Sequence, residues 1–347
     1  MMARSRPTSA DVAARAGVSR TTVSFVLNDT AGVQISQATR DRVLAAASEL
    51  GYHPHAPARQ LAGGRTHMIG LVLRQSTEQV AGDPFLVETL RGLSSATRSA
   101  GFRVMVEPLA ADGQYEALLR SQHADGLIVS GPRVDDPSLR QLLLDGFPIV
   151  LQGALPGVEA TSVDVDNVAG ARAAVDHLIA LGHRRIACIT NAPMVYTAAQ
   201  ERVEGYRAAL KAAGIEPDPD LLTHGSFDAP SGHVAMAELL ARTSFTAAFV
   251  ASDVVALGAI GALREVGLRV PEDVSVVGFD DVPLVAYFDP PLTTIRVPAF
   301  ELGQAAGRAV LERIAAPVMP SRTLLPTELI VRASTAPPHP PLSGGDP

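Results

Sequence analysis

The strongest constraint on the fold is an alternation of short apolar runs with longer amphipathic stretches between residues 68 and 280. The apolar runs predict strands at Met68–Leu73, Phe102–Glu107, Gly126–Ser130, Pro148–Leu151, Arg185–Thr190, Ala247–Ala251 and Val274–Phe279. Helical periodicity fills most of the intervals between them, as in 87–100, 168–181 and 201–213. Continuous apolar strands that alternate with helices are typical of parallel sheets covered on both faces. About 260 residues are too many for one small sheet, so we expect two α/β lobes.

The first 52 residues follow a different pattern, that of three short helices. Thr8 is a candidate N-cap with Asp11 as its capping-box partner, and Gly17 can end the first helix in a left-handed conformation. Ser19 and Ser36 are candidate N-caps of the second and third helices. The apolar positions of the third helix are Val43, Leu44, Ala47 and Leu50, and Gly51 can end it. Two short helices joined by a tight glycine turn, with a third that closes a small core, make a helix-turn-helix unit.

The charge is unevenly distributed along the chain, whose net charge is −7. The first 65 residues carry eight arginines and four acidic residues, which gives them a net charge of +4. The remaining 282 residues carry 21 basic and 32 acidic side chains, or −11. A basic head can approach phosphates while an acidic body stays away from them. The distribution therefore favours nucleic acid as a partner of the head.

Two segments of the chain have no periodicity that predicts a long element. In residues 53–66, Pro54 bars a helix just before it and Gly63 ends one, so a helix of about two turns is the most that the segment can hold. Residues 333–347 are rich in proline and glycine, and we expect a disordered tail there. We therefore divide the chain into a headpiece at 1–52, a hinge or linker at 53–66, a core at 67–332 and a tail at 333–347.

The composition also bears on the compartment. The chain contains one cysteine, Cys188, so it cannot form an intrachain disulfide, and a reducing compartment is the natural interpretation. It has no apolar run of about 18 residues or more, which excludes a transmembrane helix, and its N-terminus lacks the apolar core of a signal peptide. We expect a cytoplasmic protein with no membrane partner.

Signatures of enzymes are absent from the sequence. There is no dinucleotide-binding glycine motif and no phosphate loop, and the single lysine, Lys211, lies in a predicted helix. Cys188 lies in a predicted strand as a small buried hydrophobe, and a metal site at His53 and His55 has little support. We therefore expect no enzyme, no catalytic residues, no cofactor and no metal.

The residues of the head also form a long, ordered motif. Its parts are Asp11-Val12-Ala13, Ala16-Gly17-Val18-Ser19, Thr22-Val23-Ser24, Leu27-Asn28, Thr39-Arg40 and Leu50-Gly51-Tyr52. This motif resembles the DNA-binding headpiece of the lactose/galactose repressor (LacI/GalR) family. The resemblance continues to about residue 332, through Leu181-Gly182-His183-Arg184-Arg185-Ile186, the run from Pro271 to Asp281, and Pro290-Pro291-Leu292-Thr293-Thr294. It implies an N-terminal all-α helix-turn-helix headpiece and an α/β core of two doubly wound lobes, similar to the periplasmic binding proteins.

The second helix of such a head lies in the major groove of DNA. The candidate DNA contacts are Ser19, Arg20, Thr21, Thr22, Ser24, Phe25 and Asn28 in the head, with Arg59 and Leu61 in the hinge. Arg20 can bond to guanine, whereas Thr21 and Phe25 can touch thymine methyl groups. The hydroxyls of Ser19 and Thr22 can reach phosphates. A helix-turn-helix used only for packing is the alternative.

Two of these positions have a particular meaning within the family. The family's paired hinge helices enter the minor groove, where a leucine wedges between bases, and Leu61 stands at that position here. A contact between the two hinge helices is the other role open to Leu61. Phe25 stands where the family very often has an arginine that reads guanine, so the base preference at that step is expected to differ.

The resemblance implies a small effector between the lobes, at the carboxyl ends of the strands. The candidate effector contacts are Phe85, Ser130, Arg202, Phe227, Ser252 and Asp280. Arg202 offers a fork that suits hydroxyls or carboxylates, Phe227 a stacking ring and Asp280 an acceptor. The alternatives are a structural ion pair between Arg202 and Asp280 and a core position for Phe227.

Three further positions near these residues carry expectations. Gly153 stands where many family members have an aspartate that faces the effector, so one acceptor is expected to be missing. Asp281 is expected to cap a helix rather than to bind a ligand. Asp253 can equally be a structural residue or an effector contact.

These features predict an effector-responsive transcriptional regulator, which we expect to be a repressor that binds a pseudo-palindromic operator in double-stranded DNA as a homodimer. The expected effector is a sugar or a sugar derivative. A tetramer is not expected, because the prolines within residues 336–341 prevent a C-terminal heptad helix. The alternatives are a solute-binding protein for transport, a purine-type regulator that requires a corepressor, and an α/β enzyme with an accessory helical domain.

Overall fold

A computed structural model describes residues 7–27, 32–52, 65–109, 115, 118–119 and 123–338. Contacts between Cα atoms divide the chain into two compact units, Met1–Thr66 and His67–Pro347. The boundary falls close to the start of the first predicted strand, where the alternation of strands and helices begins. Each unit has a hydrophobic core of its own.

The head consists of α1 (Ser9–Ala16), α2 (Arg20–Leu27) and α3 (Gln37–Leu50). Thr8 caps α1, since its backbone N–H donates to Asp11 Oδ2 at 2.7 Å and its hydroxyl accepts from the Asp11 N–H. Gly17 ends α1 at a φ of 65°, in the left-handed region that suits glycine. Ser19 Oγ accepts from the Thr22 N–H at 3.0 Å at the start of α2. The predicted caps of α1 and α2 are therefore confirmed.

Small side chains build the core of the head, namely Val12, Ala13, Ala16, Val23, Val26, Val43, Ala46 and Ala47. The buried positions of α3 are Val43, Ala46 and Ala47, which form one stripe along the helix. Leu44 lies off this stripe and is 51% exposed, and Leu50 at the end of the helix is 36% exposed. Of the four apolar positions of α3 named from the sequence, only Val43 and Ala47 therefore belong to the core of the head.

The strands of the second unit are β1 (Met68–Leu73), β2 (Arg103–Pro108), β3 (Gly126–Ser130), β4 (Ile149–Gln152), β5 (Ser162–Val165), β6 (Ile186–Thr190), β7 (Leu222–His224), β8 (Ala247–Val250), β9 (Ser275–Asp280), β10 (Thr293–Arg296), β11 (Arg322–Leu325) and β12 (Glu328–Ile330). Its α-helices are α4 (Thr77–Ala81), α5 (Pro84–Arg98), α6 (Pro137–Leu144), α7 (Asn167–Ala180), α8 (Thr197–Ala212), α9 (Ala229–Arg242), α10 (Asp253–Glu265) and α11 (Ala299–Ala315). Two six-stranded sheets result, ordered β11-β5-β4-β3-β1-β2 and β12-β10-β9-β8-β6-β7. Neighbouring strands are parallel except for the antiparallel pair of β10 and β12 at one edge.

The chain passes between the two lobes three times: after β5, between β10 and α11, and between β11 and β12. Helix α11 therefore belongs to the first lobe, where it packs against α5 and the neighbouring strands. In the second lobe α7 packs against α8 and the sheet. The carboxyl ends of strands from both sheets lie at one cavity, as the general rule for open α/β sheets predicts.

All seven predicted strands are present, each within one residue of its expected bounds. The pattern did not reveal β5, β7, β10, β11 and β12. These strands are three or four residues long and carry polar side chains, as in Ser-Val-Asp-Val of β5. Strands of this kind have too few apolar positions to stand out by periodicity.

The prediction of a disordered tail from residue 333 is wrong for residues 333–338. Ser334 is fully buried: its hydroxyl donates to Val276 O at 2.6 Å and accepts from the Thr293 N–H at 2.8 Å. Ala336 O accepts from the Ser275 hydroxyl at 3.0 Å. An extended segment that is fixed by hydrogen bonds of this kind does not need apolar residues at regular spacing. The proline-rich and glycine-rich composition therefore wrongly predicted disorder for residues 333–338. Residues 339–347 lie outside the described residues.

Candidate functional site

Helix α2 has one face in the core of the head and another towards solvent. Val23 and Val26 are buried, and Leu27 packs against the same core. Of the predicted DNA contacts, Ser19, Arg20 and Thr21 are exposed, and Thr22, Ser24 and Phe25 are half-buried. The hydroxyls of Ser19 and Thr22 lie 2.9 Å apart at the start of the helix. The face proposed to read DNA is therefore separate from the face that packs.

The remaining predicted DNA contacts, Asn28, Arg59 and Leu61, lie outside the described residues, as do His53 and His55. The role of the whole set in DNA binding stays a prediction.

A cavity of about 120 Å³ lies between the two lobes of the second unit. The side chains predicted to contact an effector all line it: Phe85, Ser130, Arg202, Phe227, Ser252 and Asp280. Phe85 and Ser130 belong to elements of the first lobe, and the other four lie in the second lobe. The fold therefore brings all six together, and their role in effector binding stays a prediction.

Arg202 is buried and projects from α8. Its Nε donates to Asn167 Oδ1 at 2.9 Å, and its Nη1 donates to Ala251 O at 2.6 Å. Its guanidinium carbon lies 3.8 Å from the centre of the Phe279 ring. Nη1 also lies 3.8 Å from Asp280 Oδ1, within the range of an ion pair. Arg202 and Asp280 therefore form an ion pair with each other, and both also line the cavity.

Asp280 ends β9 with a φ of 120°, a backbone conformation that residues other than glycine rarely adopt. Burial raises the pKa of Asp280 to about 7; Arg202 opposes this rise and the Asp83 carboxylate adds to it. Phe227, on the same cavity, also has a positive φ, of 65°. Backbone strain of this kind is found preferentially at ligand sites.

The Phe227 ring meets the Tyr196 ring edge-on, with 4.8 Å between their centres and 82° between their planes. It packs against a small buried cluster of Ala192, Tyr196 and Ala199. Because Phe227 also lines the cavity, the predicted aromatic wall and the core alternative both describe it.

Reasoning from the sequence missed seven polar side chains of the cavity, four of which are Gln75, Gln152, Asp164 and Asn191. Each of these four lies within two residues of the carboxyl end of a strand, at β1, β4, β5 and β6. One oxygen of each is buried and has no hydrogen-bond partner among the described residues. Buried acceptors without partners are uncommon in folded proteins, and a ligand with hydrogen-bond donors would satisfy them. These residues could have been found from the sequence as polar side chains at or next to the carboxyl ends of strands.

The cavity has an excess of negative groups. Its lining among the described residues includes three carboxylates, Asp83, Asp164 and Asp280, and one cation, Arg202. Burial raises the pKa of both Asp83 and Asp164 to about 6. Such a lining accepts hydrogen bonds from hydroxyl or amine donors and repels anions.

Hydrogen bonds join the two lobes next to this lining. Gln79 Nε2 of the first lobe donates to Ser226 O of the second at 2.7 Å. The Tyr196 hydroxyl donates to the Arg74 carbonyl. Ser226 precedes Phe227 in the chain and Tyr196 contacts its ring, so both bonds involve direct neighbours of Phe227, which lines the cavity.

The expectation that Asp281 caps a helix is wrong. Asp281 accepts from Arg296 Nε at 2.8 Å and from Arg332 Nη2 at 2.6 Å, and the short helix Pro283–Tyr287 begins without a side-chain cap. Two arginines therefore hold the carboxylate away from the helix. Asp253 is buried with both of its carboxylate oxygens bonded to the protein, which is a structural role.

Gly153 lines the cavity without a side chain of its own. Its φ is 123°, and a Cβ atom there would lie 2.6 Å from Pro132 Cδ. An acceptor side chain at this position is therefore excluded on steric grounds.

The described part of the chain holds no group of three or more His, Cys, Asp or Glu side chains placed to bind a metal ion. Among its helices, none is both long and apolar enough to cross a membrane.

Comparisons with known proteins agree with both units. Residues 8–55 match the model of bacterial regulatory proteins of the lacI family, and residues 175–335 match that of a periplasmic binding protein-like domain. The HTH-type transcriptional regulator CelR of Thermobifida fusca is 40% identical over 342 residues, which cover 96% of this chain and 100% of CelR.

Solved structures give the same answer. The complex of the transcriptional regulator CelR with cellobiose has a TM-score of 0.73 at 39% identity, covering 95% of this chain and 100% of that one. The Lac repressor dimer bound to operator and the anti-inducer ONPF has a TM-score of 0.82 at 32% identity, covering 96% and 100%. The chain therefore belongs to the LacI family of bacterial transcriptional regulators.

Proposed function

We propose that this regulator is a repressor that binds a pseudo-palindromic operator as a homodimer and changes its affinity for that operator when an uncharged, polyhydroxylated effector enters the cavity. The observation that carries the proposal is the set of four buried acceptor oxygens without partners in the cavity wall. As a regulator of transcription the protein acts on the chromosome, in the cytoplasm.

Operator binding is supported by the exposed start of α2. Ser19, Arg20 and Thr21 are exposed there, in a chain whose first 65 residues carry a net charge of +4. The N-terminal residues of the second helix of a helix-turn-helix are the ones that contact base edges. The similar Lac repressor has been solved as a dimer bound to operator. A transport protein has no use for such a head, which makes the solute-binding alternative weaker.

Dimerisation is supported by apolar side chains left in solvent. Leu284 and Tyr287, in the short helix Pro283–Tyr287, are 60% and 87% exposed. Pro283 lines a surface groove together with the start of α5, so this apolar patch adjoins elements of both lobes. Exposed large apolar side chains are typical of surfaces that a second copy covers.

A neutral polyol is the effector that suits the cavity. Hydroxyl groups can donate to the unpaired oxygens of Gln75, Gln152 and Asn191, and Phe227 offers an apolar wall for the carbons of a sugar ring. A phosphate or carboxylate on the ligand would instead meet the excess of aspartates. The similar CelR has been solved with cellobiose, a neutral sugar.

The response is proposed to pass through the contacts between the lobes. An effector that pairs with groups of both lobes stabilises one relative position of the lobes, and three chain crossings connect them. A coupling of about 1–3 kcal/mol is enough for a 5- to 150-fold change in operator affinity.

Selection of a random pool of DNA duplexes by the purified full-length protein tests operator binding. We expect enrichment of a pseudo-palindrome of roughly 14–20 base pairs, with half-sites about one helical turn apart. If enrichment requires added cell extract, the protein is a regulator that needs a corepressor. Absence of enrichment under both conditions contradicts operator binding.

Titration of the selected operator complex with paired ligands tests the effector class. Neutral pentoses, hexoses and disaccharides, including cellobiose, are compared with the corresponding sugar phosphates and sugar acids. We expect at least one neutral sugar to change operator affinity at least fivefold and the anionic forms to have no effect. A response confined to anionic ligands contradicts the proposal.

A further inference from the structure

Two short segments of the chain pair with each other across the cavity, and we call this pairing the rim bridge. Residues 132–134 follow β3 of the first lobe, and residues 195–197 precede α8 of the second. Arg133 and Tyr196 form an isolated antiparallel β-bridge. Backbone hydrogen bonds flank this pair, from the Val134 N–H to Val195 O at 2.9 Å and from the Thr197 N–H to Pro132 O at 3.3 Å. The rim bridge therefore joins the backbones of two lobes that belong to different sheets.

The side chain of Tyr196 strengthens the rim bridge. Its hydroxyl donates to the carbonyl of Arg74, which directly follows β1 of the first lobe. The Arg133 guanidinium carbon lies 5.6 Å from the centre of the Tyr196 ring. Tyr196 is only 6% exposed, so little water can replace the carbonyl as the partner of its hydroxyl. One side chain of the second lobe thus contacts two separate segments of the first.

The rim bridge is also part of the cavity wall, since Pro132 and Thr197 line the cavity. Val165 and Val297 line another part of the wall, where the chain crosses from one lobe to the other. The lobes cannot separate at these crossings, because the covalent chain joins them there. They can separate at the rim bridge, because only noncovalent contacts hold them together at that side.

A second contact reinforces the same side of the cavity. The Gln79 side chain donates from Nε2 to Ser226 O at 2.7 Å, between the first lobe and the second. Its Oε1 accepts from the Ser76 N–H at 2.9 Å, so both ends of the amide are bonded and its orientation is fixed. Side chains from two different elements of the chain therefore hold the lobes together here.

We propose that the rim bridge is the gate of the cavity, and that a ligand enters or leaves when the bonds of Tyr196 and the two flanking backbone bonds break together. The gate has two distinct states, because these bonds are either formed or lost. The proposal concerns access to the cavity, and it rests on the proposed function only for the chemistry of the effector that passes the gate.

A reporter cysteine in the cavity wall measures how often the gate opens. Ser252→Cys places a thiol at a position that lines the cavity and is 8% exposed. The single native cysteine, Cys188, is fully buried in β6, and burial raises the pKa of its thiol, so its labelling reports unfolding. Iodoacetamide, a small uncharged reagent, is added to the full-length protein, and mass spectrometry follows the labelling of each cysteine. The measurement requires neither effector nor operator.

Tyr196→Phe, made in the reporter protein, keeps the ring and removes the hydroxyl that donates to Arg74 O. We expect it to raise the labelling rate at position 252 about fivefold, the factor for the loss of one hydrogen bond worth about 1 kcal/mol. Tyr206→Phe is the matched control. The Tyr206 hydroxyl donates to Ile186 O at 2.8 Å within the second lobe, so its removal should leave the labelling rate unchanged.

Gln79→Glu is a second, independent variant of the gate. It keeps an acceptor for the Ser76 N–H, loses the donor to Ser226 O and places a carboxylate near Asp228. We expect an increase in the labelling rate at least as large as that of Tyr196→Phe, because a repulsion between carboxylates is added to the lost bond. Labelling of Cys188 should remain slow in every variant.

Three results would overturn the proposal. The first is an unchanged labelling rate at position 252 in both Tyr196→Phe and Gln79→Glu, and the second is an equal increase in Tyr206→Phe. The third is a rise in Cys188 labelling that parallels the rise at position 252, because unfolding would then explain both. None of these results bears on operator binding or on the effector class, which the selection and the titration described above decide separately.

Discussion

Nη1 of Arg202 and Oδ1 of Asp280 lie 3.8 Å apart, and both side chains face the cavity between the lobes. The arginine is the one cation in the wall that the described residues form, so its charge is shared among several buried carboxylates. The pair therefore contributes to the packing of the second lobe and also forms part of the cavity wall.

Removal of this cation should be costly. We expect Arg202→Ala to lower the free energy of unfolding by about 3–5 kcal/mol, because buried carboxylates lose their counter-charge and Asn167 loses a donor. Urea denaturation followed by circular dichroism measures the change. Arg172→Ala, which breaks an exposed pair with Asp176, is the matched control and should change stability by less than about 0.5 kcal/mol. Equal effects of the two variants would contradict the buried role of Arg202.

The raised pKa of Asp280 predicts the pH dependence of stability. A carboxyl whose pKa is about 7 in the folded protein, against about 4 in the unfolded chain, binds more protons when folded between these values. The free energy of unfolding should therefore fall as the pH rises from about 5 to about 8, by on the order of 3 kcal/mol from this group. Asp83 and Asp164, with pKa values raised to about 6, act in the same direction.

Asp280→Asn removes this titration, so the pH profile of the variant should be flatter than that of the wild type, and the variant should lose the response to the effector while it still binds operator. Asp135→Asn is the control. The hydrogen bond from Arg133 lowers the pKa of the Asp135 carboxyl, so this group does not titrate between about pH 5 and pH 8. Identical slopes for the wild type and Asp280→Asn between about pH 5 and pH 8 would show that Asp280 is not the titrating group.

The unpaired oxygens of the cavity predict a conflict between stability and binding. Gln152→Met keeps the length of the side chain and removes a buried acceptor without a partner, so we expect a gain of about 1 kcal/mol in the free energy of unfolding without effector. The same variant should respond more weakly to whichever sugar moves the wild type. Gln141→Met, at an exposed position of α6, should change neither property. A loss of stability in Gln152→Met would mean that its oxygen already has a partner.

The exposed apolar side chains Leu284 and Tyr287 predict a dimer. Light scattering of the purified protein should give twice the 36.2 kDa of one chain. Tyr287→Asp, which places a charge in the apolar patch, should shift the mass towards a single chain and weaken operator binding. A mass near four chains would contradict the expected dimer.

The candidate residues of the cavity were predicted from the family resemblance, and the fold explains why they converge. Ser130, Ser252 and Asp280 lie at or just after the carboxyl ends of parallel strands, which meet at one edge of each sheet. The unpaired state of Gln75 and Gln152 could not be predicted, since it depends on which neighbours reach each oxygen. It is a property of three-dimensional packing.

The mistakes have the same origin. The C-terminal segment has no apolar period, yet Ser334 is fixed by two hydrogen bonds to strands more than forty residues away in the chain. In α3, the apolar residues do not by themselves show which positions face inward, because Val43 and Leu44 are adjacent and only Val43 is buried.

Gly153 also limits which side chains the wall of the cavity can acquire during evolution. A new side chain there would meet Pro132 at 2.6 Å and would need a backbone conformation that L-residues rarely adopt. A single substitution of Gly153 by a residue with a side chain is therefore expected to disrupt the local packing. A hydrogen-bond acceptor could be gained at this position only after Pro132 had been replaced. Selection for a new ligand must instead begin at positions whose side chains already reach the cavity, such as Gln152, so the order in which substitutions accumulate is constrained.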